Sequence, residues 1–245
     1  MSYPAALREA AATPQPEIVT YPVRHLGSAA LHWDANPDGV PFMRAVYEAH
    51  VARAARRRPF RGSLNRSDLA RLADGQWLQR DAARQARSML AAAQSALSQD
   101  KAAGDPLARE VVSFWVSSGY RSATRQYQLW QQRFPGYFAE TQDRRAQLRG
   151  GATGPAAAEW LASWIGQWLA APGFSNHNAG RAIDLACRLA GGTTLTAKRE
   201  HIPRWHASWL HDWLTENAAS YSFQPYLPEP WHWEHCPGPG PCRPR

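Results

Sequence analysis

The chain has 245 residues, enough for one compact domain with an extension and for a hydrophobic core that needs no disulfide help. Lys and Arg outnumber Asp and Glu by eight and the pI is about 9.9, so the surface attracts polyanions, although charge alone does not choose among nucleic acid, anionic lipid and anionic cell-wall polymers. Three cysteines exclude a disulfide scaffold, the lack of a Cys-x-x-Cys pair excludes a zinc ribbon, and no apolar run is long enough to predict a membrane span.

Residues 1–40 are rich in Pro and turn formers and read as an extended arm, without the basic start and apolar stretch of a secretory signal. A helix is expected from Phe42 to about Arg58. Its end carries Arg53, Arg56, Arg57 and Arg58, read as a solvated terminus that suits the helix dipole, with a polyanion patch as the alternative. Asn65 or Ser67 can cap a short helix over Asp68–Ala73. A longer one is expected from about Leu78 to Ser98, where Leu78, Ala82, Ala86, Met89, Ala93 and Leu97 recur on one face. Lys101 to Pro106 ends it. Val111–Val116 is β-branched and aromatic, a short buried strand that runs into Ser117–Ser122 and leaves Arg121 near a strand end.

Thr124–Arg133 reads as helical and residues 134–155, with four glycines, as an insertion or loop. Pro155 suits the first turn of another helix, on which Trp160, Trp164 and Trp168 form a stripe expected in the core. Pro203–Asn217 reads as one amphipathic helix with Trp205, Trp209 and Trp213 on one side. Tyr221–Phe223 and the run to Trp233 supply closing strands. Nothing repeats at a fixed period. Cys187 reads as a small buried apolar residue, whereas Cys236 and Cys242 either close a small loop or stay free thiols.

The chemistry concentrates in Ser175-Asn-His177-Asn-Ala-Gly180-Arg-Ala182-Ile-Asp184, followed 45 residues after Asp184 by Glu229-Pro-Trp231-His232. Together these segments offer two neutral imidazoles, one carboxylate and a second carboxylate that need not touch a metal. That is the donor set of a catalytic zinc site with three protein ligands, an open position and a base beside it. No pair of histidines at i and i+4 announces a helical site, so only folding brings these ligands together. A strand–turn or bulged segment can aim both His177 and Asp184 at one point, with Gly180 allowing backbone that a Cβ resists. Pro230 argues against a regular central strand between Glu229 and His232; a turn or bulge there lets both face the metal, with Glu229 as general base. Glu234 and His235 compete for these roles and rank lower because they run toward the Pro/Gly tail. His201, His206 and His211 are spaced by five and share no helix face at ligand spacing.

Ser-x-His-x-x-Gly-x-Ala-x-Asp, preceded by Ser118-Gly-Tyr-Arg-Ser122 and followed by Glu-Pro-Trp-His, resembles the D-alanyl-D-alanine carboxypeptidase family of zinc peptidases (VanY-like, peptidase family M15) over roughly Leu78 to His235. The resemblance implies an α+β fold, a small antiparallel sheet with helices around it, shared with hedgehog-type domains. Residues 1–77 then read as an N-terminal extension, extended and then mainly helical, 78–236 as the peptidase domain and 237–245 as a Pro/Gly-rich tail. The resemblance further implies zinc held by His177, Asp184 and His232, with Glu229 as catalytic base. Arg121 would pair with the substrate carboxylate or the developing oxyanion, Ser175 would touch substrate near the metal, and Gln126 matches a position near the pocket. Tyr120 and Trp231 complete the substrate-binding candidates. Many relatives carry Arg two residues after the second His, where Glu234 stands here, and the stretch between Arg121 and His177 is Trp-rich; both departures bear on substrate choice.

The implied activity is zinc-dependent D,D-carboxypeptidase cleavage of peptidoglycan stem peptides by metal-activated water, in the bacterial envelope or outside the cell, reached by a route other than a recognisable signal. The alternatives are a peptidoglycan endopeptidase, as in a phage lysin or a delivered toxin with an immunity or delivery partner, and a catalytically silent hedgehog-like metal module. An intact Glu229 argues against the silent module. No helix-turn-helix, RRM or finger signature is present, so nucleic-acid binding is not expected, and a monomer is.

Overall fold

The computed structural model describes residues 30–236; the arm up to residue 29 and the tail from residue 237 lie outside the described residues. Among the described residues no helix is long and apolar enough to cross a membrane.

A 3-10 turn capped by Asn36, whose Oδ1 accepts the Gly39 N–H, feeds helix α1 (Val40–Ala55). This helix buries Phe42, Met43, Val46, Tyr47 and His50 at helical spacing and stops just before the Arg56–Arg58 run. The short helix expected over Asp68–Ala73 is instead a hairpin, β1 (Leu69–Arg71) against β2 (Trp77–Gln79). Asp74-Gly75 explains the difference. Gly75 adopts φ +84°, and the Leu72 N–H donates to the Gln76 carbonyl at 2.7 Å, closing a turn that Asp-Gly favours between strands.

Helix α2 (Arg80–Ala103) then buries Ala82, Ala83, Ala86, Met89, Ala93 and Leu97, and Gly104 closes it in the left-handed region. Leu78 is buried too, but on β2 rather than on the helix. Asp105 caps the short α3 (Pro106–Glu110), accepting the Ala108 N–H at 2.7 Å, and β3 (Val111–Ser118) follows.

Ser122 caps α4 (Ala123–Glu140), which does not stop at Arg133 but continues through Pro135. Packing outweighs the helix-breaking ring, because Trp130, Phe134 and Tyr137 all face a buried cluster. The region expected to be a loop also contains α5 (Gln142–Ala146). Its organiser is Arg145, fully buried, whose Nε donates to Thr141 Oγ1 at 3.1 Å and whose Nη2 donates to the Phe138 carbonyl at 2.6 Å. Nη1 donates to the Ala152 carbonyl, and the guanidinium lies 3.9 Å from the Phe138 ring centroid.

Helix α6 (Pro155–Ile165) begins at its proline as expected, yet its buried stripe is Ala157, Ala158, Leu161, Ala162 and Ile165. The tryptophans of the expected core stripe sit at its margin: Trp160 and Trp164 stack half-buried, and Trp168 falls beyond the helix end. After β4 (Ala182–Leu189) and β5 (Thr194–Leu195), the single helix expected over Pro203–Asn217 is two, α7 (Ile202–His206) and α8 (Trp209–Asn217). Ser208 makes the break, its Oγ donating to the Trp205 carbonyl at 2.7 Å and accepting the His211 N–H at 3.3 Å. Strands β6 (Phe223–Pro225) and β7 (His232–His235) close the chain.

The main sheet is antiparallel with strand order β3-β4-β7-β6, and β5 pairs with β4. Two compact units divide the described chain, residues 64–120 with 179–236 and residues 30–63 with 121–178. The first contains the sheet with α2, α3, α7 and α8, around a core that includes Met89, Leu97, Ile183, Leu185, Trp205, Phe223 and Trp233. The second is helical, with α1, α4, α5 and α6 around Met43, Val46, Trp130, Phe134, Leu161 and Ile165. The architecture is α+β, a small antiparallel sheet with helices; residues 30–63 carry helix α1, while β1 and β2 belong to the unit that holds the sheet.

Candidate metal centre

The segment that carries Ser175 and His177 is a loop held by its own side chains. Asn178, fully buried, is the hub: its Oδ1 accepts the N–H groups of Gly173 (3.0 Å) and Ser175 (3.1 Å), and its Nδ2 donates to the Arg121 carbonyl (2.7 Å). The Arg121 N–H donates in turn to the His177 carbonyl at 3.1 Å, and Ser175 Oγ accepts the His177 N–H at 3.2 Å. Gly180 then redirects the chain into β4. Its φ is +64°, and a Cβ there would sit 2.8 Å from the Gln79 nitrogen, whose N–H donates to the Gly180 carbonyl at 2.9 Å.

Strand alternation sorts the rest. In β4, Ile183, Leu185, Cys187 and Leu189 enter the core, so Asp184 points to the other face. On β7, His232 stands opposite Asp184 and Glu234 opposite Ala182, while Trp233 packs in the core. His232 Nδ1 lies 2.8 Å from Asp184 Oδ1, and its Nε2 lies 3.4 Å from Glu234 Oε1. Burial alone would lower the His232 pKa, but the hydrogen bonds to Asp184 and Glu234, with the charges of Asp184 and Glu229, push it up to about 10. Glu229 occupies the β6–β7 connection in two successive turns: its N–H donates to the Tyr226 carbonyl at 2.9 Å, and its carbonyl accepts the His232 N–H at 2.8 Å. The turn anticipated from Pro230 is therefore present, and Glu229 is half-exposed at its start.

One donor atom from each of His177, Asp184 and His232 lies within 4.8 Å of the others, and all three residues are buried. Among the described residues this is the group of His, Cys, Asp or Glu side chains that can hold a metal. The residues fit zinc. Two imidazoles and a carboxylate, each able to offer a donor atom to one point, are among its usual donors in catalytic sites.

The other candidates are placed as follows. Arg121 Nη1 donates to Gln126 Oε1 at 2.7 Å, and Gln126 Nε2 donates to the Ala170 carbonyl at 2.9 Å, so the buried Gln126 spends both ends of its amide on the protein. The Tyr120 hydroxyl accepts the Leu64 N–H at 2.9 Å. Trp231 is buried in the sheet-side core, and its carbonyl accepts the Leu185 N–H at 2.9 Å. His235 faces away from Asp184, its ring 5.5 Å from that of Phe223. Glu234, ranked low from its nearness to the tail, is buried on the Asp184 side. The signal that finds it is parity: in a strand, positions two apart share a face. Cys187 is a buried free thiol whose pKa burial pushes up to about 12 against the lowering effect of Lys101. Cys236 is disulfide-bonded, while Cys242 lies outside the described residues.

No curated protein sequence matches the chain. Solved structures similar to it include VanYB in complex with D-alanine-D-alanine (19% identity, 71% of this chain and 84% of that one, TM-score 0.42). A vancomycin-resistance D,D-pentapeptidase VanY variant in complex with Zn(II) is similar at 22% identity, with coverage of 68% and 77% and a TM-score of 0.41. The LD-carboxypeptidase LdcB is similar at 20% identity, with coverage of 70% and 69% and a TM-score of 0.39. The family model for VanY, D-alanyl-D-alanine carboxypeptidase, matches residues 75–238, a span that holds Arg121, His177, Asp184, Glu229 and His232. The chain therefore belongs to the VanY D-alanyl-D-alanine carboxypeptidase family, peptidases that act on peptidoglycan peptides in the cell wall.

Proposed function

We propose that this chain is a zinc-dependent D,D-carboxypeptidase that removes the terminal residue from peptidoglycan stem peptides ending in D-Ala-D-Ala. The observation that carries the reading is the convergence of His177, Asp184 and His232, with Glu229 one turn from His232, inside the span that matches the family. His177, Asp184 and His232 hold the ion in this reading. When bound, zinc polarises the scissile carbonyl and acidifies the attacking water. Glu229 takes the proton from that water and passes it to the leaving amine, a role that suits a carboxylate on a half-exposed turn.

Arg121 pairs with the free carboxylate of the substrate or with the developing oxyanion, and its planar fork suits either. Gln126, bonded to Nη1, keeps the guanidinium from swinging away. Ser175 and Tyr120 contribute polar contacts to substrate. Gln126 and Trp231 are assigned support, because one is spent on Arg121 and Ala170 and the other lies in the core. Residues 78–236 constitute the peptidase domain, 1–77 an extension and 237–245 a tail, and the monomer acts on its substrate outside the cytoplasm.

The experiment is zinc analysis of the purified protein together with digestion of matched peptides ending in D-Ala-D-Ala as free acid or amide. One zinc per chain and preferential loss of D-Ala from the acid are expected. Zinc-loaded protein that leaves the acid intact overturns the activity. Equal cleavage of acid and amide replaces the carboxypeptidase with an endopeptidase.

A further inference from the structure

Three carboxylates neighbour His232, and of these Asp184 and Glu229 already have a part in the proposed chemistry, as ligand and base, while Glu234 has none. Glu234 is 7% exposed, as buried as the metal-site residues themselves, and burying a carboxylate is costly unless it is used. Its place follows from the sheet. Positions 232 and 234 share a face of β7, and the register sets Glu234 between Ala182, with only a methyl side chain, and Gln224, with its carboxylate turned toward His232. The two edges of the imidazole then meet different partners: Nδ1 faces Asp184 at 2.8 Å and Nε2 faces Glu234 at 3.4 Å.

We propose that Glu234 is a positioning residue of the metal centre: its carboxylate accepts the Nε2–H of His232 and so turns the Nδ1 lone pair toward the site shared with Asp184. The inference rests on the zinc reading of His177, Asp184 and His232. A neutral imidazole carries one N–H and one lone pair, and the partner of the N–H decides which nitrogen is left to bind metal. A carboxylate in that position also makes the ring a stronger donor and locks its rotation. Glu234 lies across the ring from Nδ1, which separates it from the work of a ligand or of a base.

The test measures zinc affinity by chelator competition for the wild type, Glu234→Gln and Glu234→Ala, with unfolding of each metal-free protein alongside. Glu234→Gln keeps an acceptor of the same shape and should weaken zinc binding by about 10-fold; Glu234→Ala should approach about 100-fold, the range for carboxylates behind ligating histidines. Nitrogen-15 shifts of His232 in the zinc-loaded wild type should show protonated Nε2 and metal-bound Nδ1. Affinities unchanged in both variants, or Nε2 as the bound nitrogen, overturn the role of Glu234 while leaving the zinc reading intact. A Glu234→Gln protein whose metal-free form is destabilised in proportion to its lost affinity also overturns it, in favour of a packing role. Failure of the wild type to bind zinc overturns the zinc reading and this inference with it.

Discussion

Glu229 and Glu234 are both carboxylates within three residues of His232, and backbone geometry separates the roles proposed for them. Glu229 begins a turn and remains half-exposed, so it can exchange protons with a bound water; Glu234 is buried in a strand. Glu229→Gln should therefore keep its zinc and lose turnover by about 10²-fold or more, the scale of a positioned acid–base group. Metal analysis with steady-state rates checks both halves, and a nearly active variant would assign the base elsewhere. A second residue-scale prediction concerns His50. Its Nδ1 accepts the Trp130 Nε1–H at 3.0 Å, and burial, aided by the nearby Arg53 charge, lowers its pKa from 6.5 to about 4. The folded state thus binds its proton more weakly than the unfolded chain. Stability from neutral His50 is complete above about pH 6.5 and is lost as pH falls toward 4, by on the order of 3 kcal/mol. Urea unfolding at pH 7 and pH 4.5 should show a larger loss in the wild type than in His50→Gln; equal losses would remove His50 as the titrating group.

At the scale of elements, the loop from Gly173 to Gly180 is set by one amide and one glycine. Asn178→Leu strands the N–H groups of Gly173 and Ser175 and the Arg121 carbonyl without their partner. It should destabilise the protein by about 3 kcal/mol and lower kcat/KM, while Asn178→Asp keeps both acceptor contacts and should cost less. Gly180→Ala must place a Cβ 2.8 Å from a backbone nitrogen at φ +64°, and a loss of about 2 kcal/mol or more is expected in thermal unfolding. The same scale shows where sequence patterns succeed. The buried stripe of α2 was legible because its small and apolar residues recur without a competing signal. The stretch after Arg133 was not, because Pro135 and the glycines signal a break that buried Phe134, Tyr137 and Arg145 override. The β1–β2 hairpin had its signal in Asp74-Gly75, and the cap that splits α7 from α8 had its own in Ser208.

For the whole molecule, a metal that binds the folded chain and not the unfolded one adds stability by mass action. Free zinc at 100-fold over its dissociation constant adds about 2.7 kcal/mol, so chelation should lower Tm and restored zinc should raise it again, as calorimetry would show. An unchanged Tm would mean that the folded chain holds no such ion. The net charge of +8 belongs to this scale too, and it was readable from composition because it needs no geometry. So were the kinds of donor atoms on offer, imidazoles and carboxylates that suit the proposed zinc, and the spacing of the blocks sufficed to identify the family. Beyond the ligand set that the family resemblance implied, local sequence patterns did not contain which histidines and carboxylates face one another. Strand register decided that: pairing β4 with β7 set Asp184 against His232, turned His235 toward Phe223 and placed Glu234 behind the imidazole. A shift of one residue would exchange those faces, and register is an energetic property of the whole buried sheet rather than of any local motif.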